Sequence, residues 1–186
     1  HHLNLDDTTG RLLYHDGGNY GSADTDLTAL NNREGRYFAF VFKKVFTNSD
    51  QSYGGIGELE LLGVTKAEFD GGSPPAAYDV ASSNSRISGQ TYSGSSENTY
   101  ANNDRFQYKH AFDNDASSDF NHAWLSAQQR YNTNTGVYTS ATSTEGYTGE
   151  YVQVDIGQSI VLKSVKIYPW DITTAGIGSS ERDRAM

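Results

Sequence analysis

The sequence contains no cysteine, a single methionine, only three prolines and no long apolar run. Without thiols, disulfides and thiolate metal sites are excluded, and the redox compartment leaves no mark on the composition. No stretch approaches the roughly 18 apolar residues that a membrane-spanning helix requires. No positively charged leader precedes an apolar segment either. Because the chain starts without Met, a leader removed or lying outside it stays compatible with this reading. Basic residues are scarce, 14 Lys and Arg against 23 Asp and Glu for a net charge of −9, and they form no basic stripe. The phosphate backbone of nucleic acid is therefore a poor partner. Asn-x-Ser/Thr sequons are absent despite the many Asn residues, so N-glycosylation is not expected.

What is present is turn-forming and aromatic. The 186 residues suit one domain, or one domain with pieces of a second, and are enough for a real core. Hydrophobic residues make up 35% of the chain and charged residues 20%, with 13 Tyr, 8 Phe and 19 Gly. Turn formers mixed with aromatic and β-branched residues favour many short strands over long helices, which predicts an all-β fold. The acidic, Asn-rich surface is compatible with Ca²⁺ and with neutral ligands such as sugars.

Along the chain, short strand candidates lie at Leu3–Leu5 and Arg11–His15. The first clear strand is Arg36–Phe46, where four Phe and one Tyr outweigh the competing helical reading. Its near-continuous apolar run predicts burial over most of its length, with Tyr37, Ala39 and Val41 on one face and Phe38, Phe40 and Phe42 on the other. Asn48–Gly57 reads as a turn, and Glu58–Leu62 as a strand with alternating carboxylates that ends at Gly63. Residues 64–80, with Pro74-Pro75, read as a linker or the opening of a new domain. Residues 82–103 are either long loop or weakly patterned edge strand. Tyr151–Ile156 and Ile160–Tyr168 read as two further strands.

The stretch from Ala111 to Asp171 carries the most information. Ala111-Phe-Asp113-Asn-Asp115, then Trp124-Leu-Ser, then Gly149-Glu-Tyr-Val-Gln-Val-Asp-Ile-Gly157, then Leu162-Lys-Ser-Val-Lys-Ile-Tyr168, resembles the galactose-binding-domain-like family. That group includes discoidin, coagulation factor V/VIII type C domains and many carbohydrate-binding modules. Asn114 stands where the family usually has Gly, and Asn also tolerates a left-handed turn. Tyr37-Phe-Ala-Phe-Val-Phe42 and Gly57-Glu58-Leu-Glu-Leu-Leu-Gly63 resemble the closing strands of the same domain. The resemblance implies a jelly-roll-like β-sandwich of antiparallel strands and makes Trp124 a core residue. The order is unexpected: residues 1–63 resemble the C-terminal half of such a sandwich, and residues 81–186 the N-terminal half of a following, permuted or swapped one. A fragment of a tandem repeat, a circular permutation, and neighbouring chains that complete one another in a filament all fit.

Closely spaced Asp residues in a tight turn suit Ca²⁺, which takes about six to eight oxygens. Asp113, Asp115 and Ser117 or Ser118, with the Ala111 carbonyl, are candidate ligands. The resemblance implies that a Glu of the terminal strand, matching Glu58, completes the site. The alternative is a solvated Asx turn with no ion. For a sugar, which needs an aromatic face and a few fixed polar groups, the loops offer Tyr92, Tyr100, Arg105, Arg130, Tyr131, Tyr138 and Trp170, with His110 and His122 near the acidic turn. None forms a specific motif, and each Tyr reads equally as a rim residue packed over a sheet edge.

No nucleophile elbow, zinc-protease helix motif, phosphate-cradling loop or Cys nucleophile is present. The expectation is a non-catalytic, extracellular module, at a cell or virion surface, that recognises glycans or another surface and is stabilised by Ca²⁺. Its rival is a structural repeat of a surface fibre, filament or virion coat, self-associating through half-domain completion.

Overall fold

The computed structural model describes residues 23–25, 33–44, 54–98, 104–115, 122–144 and 146–168. The strand candidates at 3–5 and 11–15, the far end of the one at 36–46, most of the turn at 48–57, and the binding candidates Ser118, Tyr100 and Trp170 lie outside those residues. In chain order the described strands are β1 (Ala23–Thr25), β2 (Arg33–Phe42), β3 (Gly55–Ile56), β4 (Glu58–Thr65), β5 (Tyr78–Asp79), β6 (Thr91–Gly94), β7 (Trp124–Leu125), β8 (Ser143–Thr144), β9 (Tyr147–Thr148) and β10 (Glu150–Tyr168). The fold is all-β, and its strand pairings are antiparallel.

β10 is the axis of the six-stranded sheet. Its 19 residues pair with β2 and then β1 on one side, and with β6 and then β4 on the other, with β5 outside β4. The sequence reads this segment as two strands parted at Gly157. The structure joins them, because Gly157 at φ 82° sits in an irregularity of register between Asp155 and Ile160 that bends the strand without ending it. Alternation sets the faces: Val152, Val154 and Ile156 are fully buried, whereas Tyr151, Gln153 and Asp155 are half-buried.

β2 departs from its predicted burial. Phe38, Phe40 and Phe42 pack on the core, but Tyr37 is 67% exposed and Ala39 is exposed too. An apolar run cannot reveal a wet face when the wet positions also carry apolar residues. The outer face is used for a cross-strand ion pair, Arg36 to Asp155, with two hydrogen bonds of 2.6 and 2.8 Å. β4 likewise runs two residues past Gly63 to Thr65. There, Thr65 and Glu68 form a capping box for a short helix, α1 (Lys66–Asp70), inside the stretch read as a linker.

β2 and β4, from the first third of the chain, thus pair with β10 of the same chain and share its core. Ile56, Leu59, Leu61, Phe112, Trp124, Val154, Ile160 and Val165 belong to one buried cluster. Trp124 has no exposed surface; its indole N–H donates to the Ser96 carbonyl at 3.0 Å, and its ring lies 5.4 Å from that of Phe42. Replacing it by Ala removes a large packed side chain and leaves a carbonyl without its donor. Trp124→Ala is expected to destabilise the fold by about 3–5 kcal/mol, read as a drop in the urea midpoint at unchanged slope.

Candidate metal centre

Among the described residues two glutamates are wholly buried, Glu58 and Glu150, and their surroundings differ. Glu150 is satisfied: hydroxyls of Ser95 (2.6 Å), Ser96 and Tyr138 (3.0 Å) donate to it, and the Arg130 guanidinium lies 3.7 Å away. Glu58 accepts at Oε2 from the Asp115 backbone N–H at 3.2 Å, while its buried Oε1 meets no donor. A buried carboxylate without donors is costly as an anion.

The turn that covers Glu58 is built locally. A 3₁₀ turn, Tyr108–Ala111, buries Ala111 and delivers Phe112 to the core. Asn114 then takes φ 59°, the left-handed conformation that Asn tolerates. This reversal lets the Asp115 N–H donate to Asp113 Oδ1 at 3.0 Å as well as to Glu58. Glu58 and Asp113 consequently stand within hydrogen-bonding reach of each other. Burial, then the Asp113 carboxylate, push the Glu58 carboxyl up to about 9. Burial acts against Asp113 too, but hydrogen bonds from His110, His122, Glu58 and the Asp115 backbone hold it below the usual carboxylate range. The pair therefore carries one proton, held by Glu58. Asp79 stands nearby; burial pushes it up to about 6, and its Oδ2 is also buried without a partner, although Oδ1 accepts from Leu61 (3.2 Å) and Ala81 (3.0 Å).

The outer side of Asp113 meets imidazoles. His110 Nδ1 lies 2.8 Å and His122 Nδ1 3.3 Å from Asp113 Oδ2, and His122 Nδ1 lies 3.4 Å from Asp115 Oδ2. No protein-family model, curated protein or solved structure matches this chain. Of the expected calcium set, the structure brings Asp113, Asp115 and Glu58 together and buries Ala111 beside them. His110 and His122 were noted in the sequence only as neighbours of the turn, and Asp79 not at all. The His110-x-x-Asp113 spacing is a local signal, but nothing local ties His122 or Asp79 to this point.

Of the expected sugar-binding residues that the structure describes, Arg130, Tyr131 and Tyr138 gather beside Glu150, and each is engaged with protein partners. Tyr92 stacks on Phe112 at 5.3 Å and donates to the Ala81 carbonyl at 2.8 Å. Tyr131 is 2% exposed, packs edge-on against Tyr138 and donates to the Phe42 carbonyl, so it has no open face for a ligand. Arg130 is turned to Glu150 and Ser140, and Arg105 sits half-buried in the 3₁₀ turn Asp104–Phe106. An open pocket of about 210 Å³ lies beside the 108–115 turn, lined by Tyr78, Asp79, Ser82, Asn84, Arg86 and Asn114 among others. The Arg86 guanidinium covers the Tyr78 ring there at 4.6 Å.

The raised Glu58 sets a pH dependence for the ion-free protein. Between about 4.5 and 9 the folded state keeps a proton that the unfolded chain has released, so stability falls as pH rises through that window. Asp79, raised from 3.8 to about 6, adds a fall in the same direction at the acidic end. The lowered Asp113 acts only below its unfolded pKa, outside most of that range. In chelator, the thermal midpoint is expected to decline from mildly acidic to alkaline pH, and Glu58→Gln to flatten the decline. A wild-type midpoint that rose over this range would contradict the assignment.

Proposed function

We propose that this chain is a non-catalytic, extracellular β-sandwich of the jelly-roll, galactose-binding-like type, held by a structural Ca²⁺ and serving to bind a glycan or another surface. The observation that carries the reading is the meeting of Glu58 and Asp113 with one buried carboxylate oxygen left without a donor. The family resemblance implies a terminal-strand Glu and a turn Asp on one ion, and those two residues come together here. The donor set fits: Ca²⁺ takes carboxylate and carbonyl oxygens, and a dication in place of the shared proton would neutralise Glu58 and Asp113 together. Asp115 and the Ala111 carbonyl belong to the expected set on the same turn, and its remaining member, Ser118, lies outside the described residues. Bound there, the ion supplies positive charge that ties the 108–115 turn to the start of β4.

A structural role suits this carboxylate better than a catalytic one, since a general acid must reach its substrate and Glu58 has no exposed surface. For the ligand, the pocket beside the same turn offers polar groups suited to sugar hydroxyls: Asn84, Asn114 and Arg86, the last lying over Tyr78.

Two measurements test the reading. Calcium is expected to raise the melting temperature of the wild-type chain and chelator to reverse it, with the response lost in Glu58→Gln. An unchanged wild-type melt sinks the ion. On a glycan array, wild-type protein is expected to bind a restricted set of sugars and Arg86→Ala to lose them. No binding to any glycan, together with assembly into polymer, would instead support a structural repeat of a fibre, filament or coat.

A further inference from the structure

The Ca²⁺ reading uses the side of Asp113 that faces Glu58 and leaves two imidazoles unexplained. His110 and His122 are carried by separate elements, one on the 3₁₀ turn before Asp113 and one two residues ahead of β7. Both elements are anchored in the core, through Ala111 and Phe112 on one side and Trp124 on the other. The two rings meet edge to face, with centroids 5.4 Å apart and planes at 75°, and both turn Nδ1 toward the same oxygen, Asp113 Oδ2. The three donor atoms lie within 4.8 Å of one another.

We propose that His110, His122 and Asp113, with Asp115 at the rim, form a second cation position that takes a first-row divalent ion of the Zn²⁺ type. Tetrahedral Zn²⁺ with bonds near 2.0–2.1 Å holds its ligand atoms about 3.3 Å apart. The observed 2.8 and 3.3 Å to Asp113 Oδ2, and 3.4 Å from His122 to Asp115 Oδ2, lie close to that spacing. The two His122 distances already match, and the adjustment falls on His110, 2.8 Å from Asp113 Oδ2; the His122 side chain is the more exposed of the two, 37% against 12%.

Donor chemistry separates this position from the inner one. Ca²⁺ is a hard ion that selects oxygen, whereas imidazole suits Zn²⁺, Cu²⁺ and Ni²⁺. Asp113 is also held as a metal-binding carboxylate needs to be, since its Oδ1 accepts the Asp115 N–H and Glu58 lies against it. Two protein nitrogens and one or two carboxylate oxygens fill three or four of the positions around such an ion, which leaves a tetrahedral ion at most one place for water or an outside ligand.

The test is calorimetric titration of the full chain with Zn²⁺ in calcium-free buffer, with the visible absorption of bound Co²⁺ as a reporter of four-coordination. One equivalent of Zn²⁺ is expected to bind, with affinity falling at least about tenfold in His122→Ala and in His110→Ala. Because the His122 side chain is partly exposed, His122→Ala is expected to keep the wild-type circular dichroism, and it decides the matter if His110→Ala does not fold. Glu58→Gln is expected to keep Zn²⁺ binding while losing the calcium-dependent rise in melting temperature, and His122→Ala to do the reverse, so the two sites fail separately. The chain also carries His1, His2 and His15. Unchanged Zn²⁺ affinity in a folded His122→Ala protein would assign the ion to other imidazoles and overturn the proposal. Absence of micromolar Zn²⁺ binding by the wild-type chain would overturn it equally.

Discussion

The burial of Glu58 is the constraint on which the arrangement of the turn and the neighbouring strands depends. A carboxyl group with no exposed surface must find donors, a proton or a cation. The same protein shows the first solution at Glu150, where three hydroxyls and a guanidinium converge. At Glu58 a single backbone N–H is supplied, and the remaining demand falls on Asp113. Replacing a buried carboxylate of this kind by an apolar residue is often neutral or stabilising in general. Its presence at the first residue of a core strand therefore points to a role beyond packing.

That role is made possible by the sheet. Strand β10 gathers strands that lie between residues 23 and 94 of the chain, and its far end pairs Tyr168 with Glu58. The Tyr168 hydroxyl donates to Glu60 at 2.6 Å, and Lys166 approaches Glu60 at 3.2 Å. The carboxylate at position 60 thus has cross-strand partners at the sheet surface. Its neighbour two residues earlier, on the same side of the strand, lies under the 108–115 turn and depends on it. The alternating Glu58-Leu-Glu-Leu pattern therefore places two chemically identical groups in different circumstances, one partly exposed and paired, the other sealed.

The fold was legible in the sequence where periodicity and composition agree. The aromatic-rich Arg36–Phe42 and the alternating Tyr151–Ile156 announce strands, and the polar, Gly-rich remainder argues against helices. Where reading failed, long-range packing was the cause. Continuity of β10 across Gly157 depends on partners on both sides of it, and the exposure of Tyr37 depends on what covers that face. In the candidate site, Asp113 and Asp115 could be read from their own turn, and Glu58 through the resemblance. His122 could not, because its approach to Asp113 is set by where β7 lands beside β3. The Tyr side chains proposed as sugar platforms illustrate the same limit, since Tyr131 looks like a loop aromatic in sequence and is a core hydrogen-bond donor in space.

The two faces of Asp113 follow from these placements. One oxygen accepts the Asp115 N–H in the turn that also meets Glu58, and the other faces His110 and His122. A carboxylate that accepts several hydrogen bonds is stabilised as the anion, which is why Asp113 is held low while Glu58, deprived of donors, is held high. The proton of the pair is thereby assigned to the buried partner and the charge to the one nearer solvent. A cation meets an ionised Asp113 from either side and displaces a proton on both, from Glu58 within and from the imidazole Nδ1 atoms that donate to Asp113 without. Affinity on the Glu58 side must then rise with pH, because Glu58 has to be deprotonated to serve as a ligand. The imidazole side requires instead that Nδ1 give up its proton, so under the proposed assignments the two faces would differ in donor chemistry, oxygen within and nitrogen without.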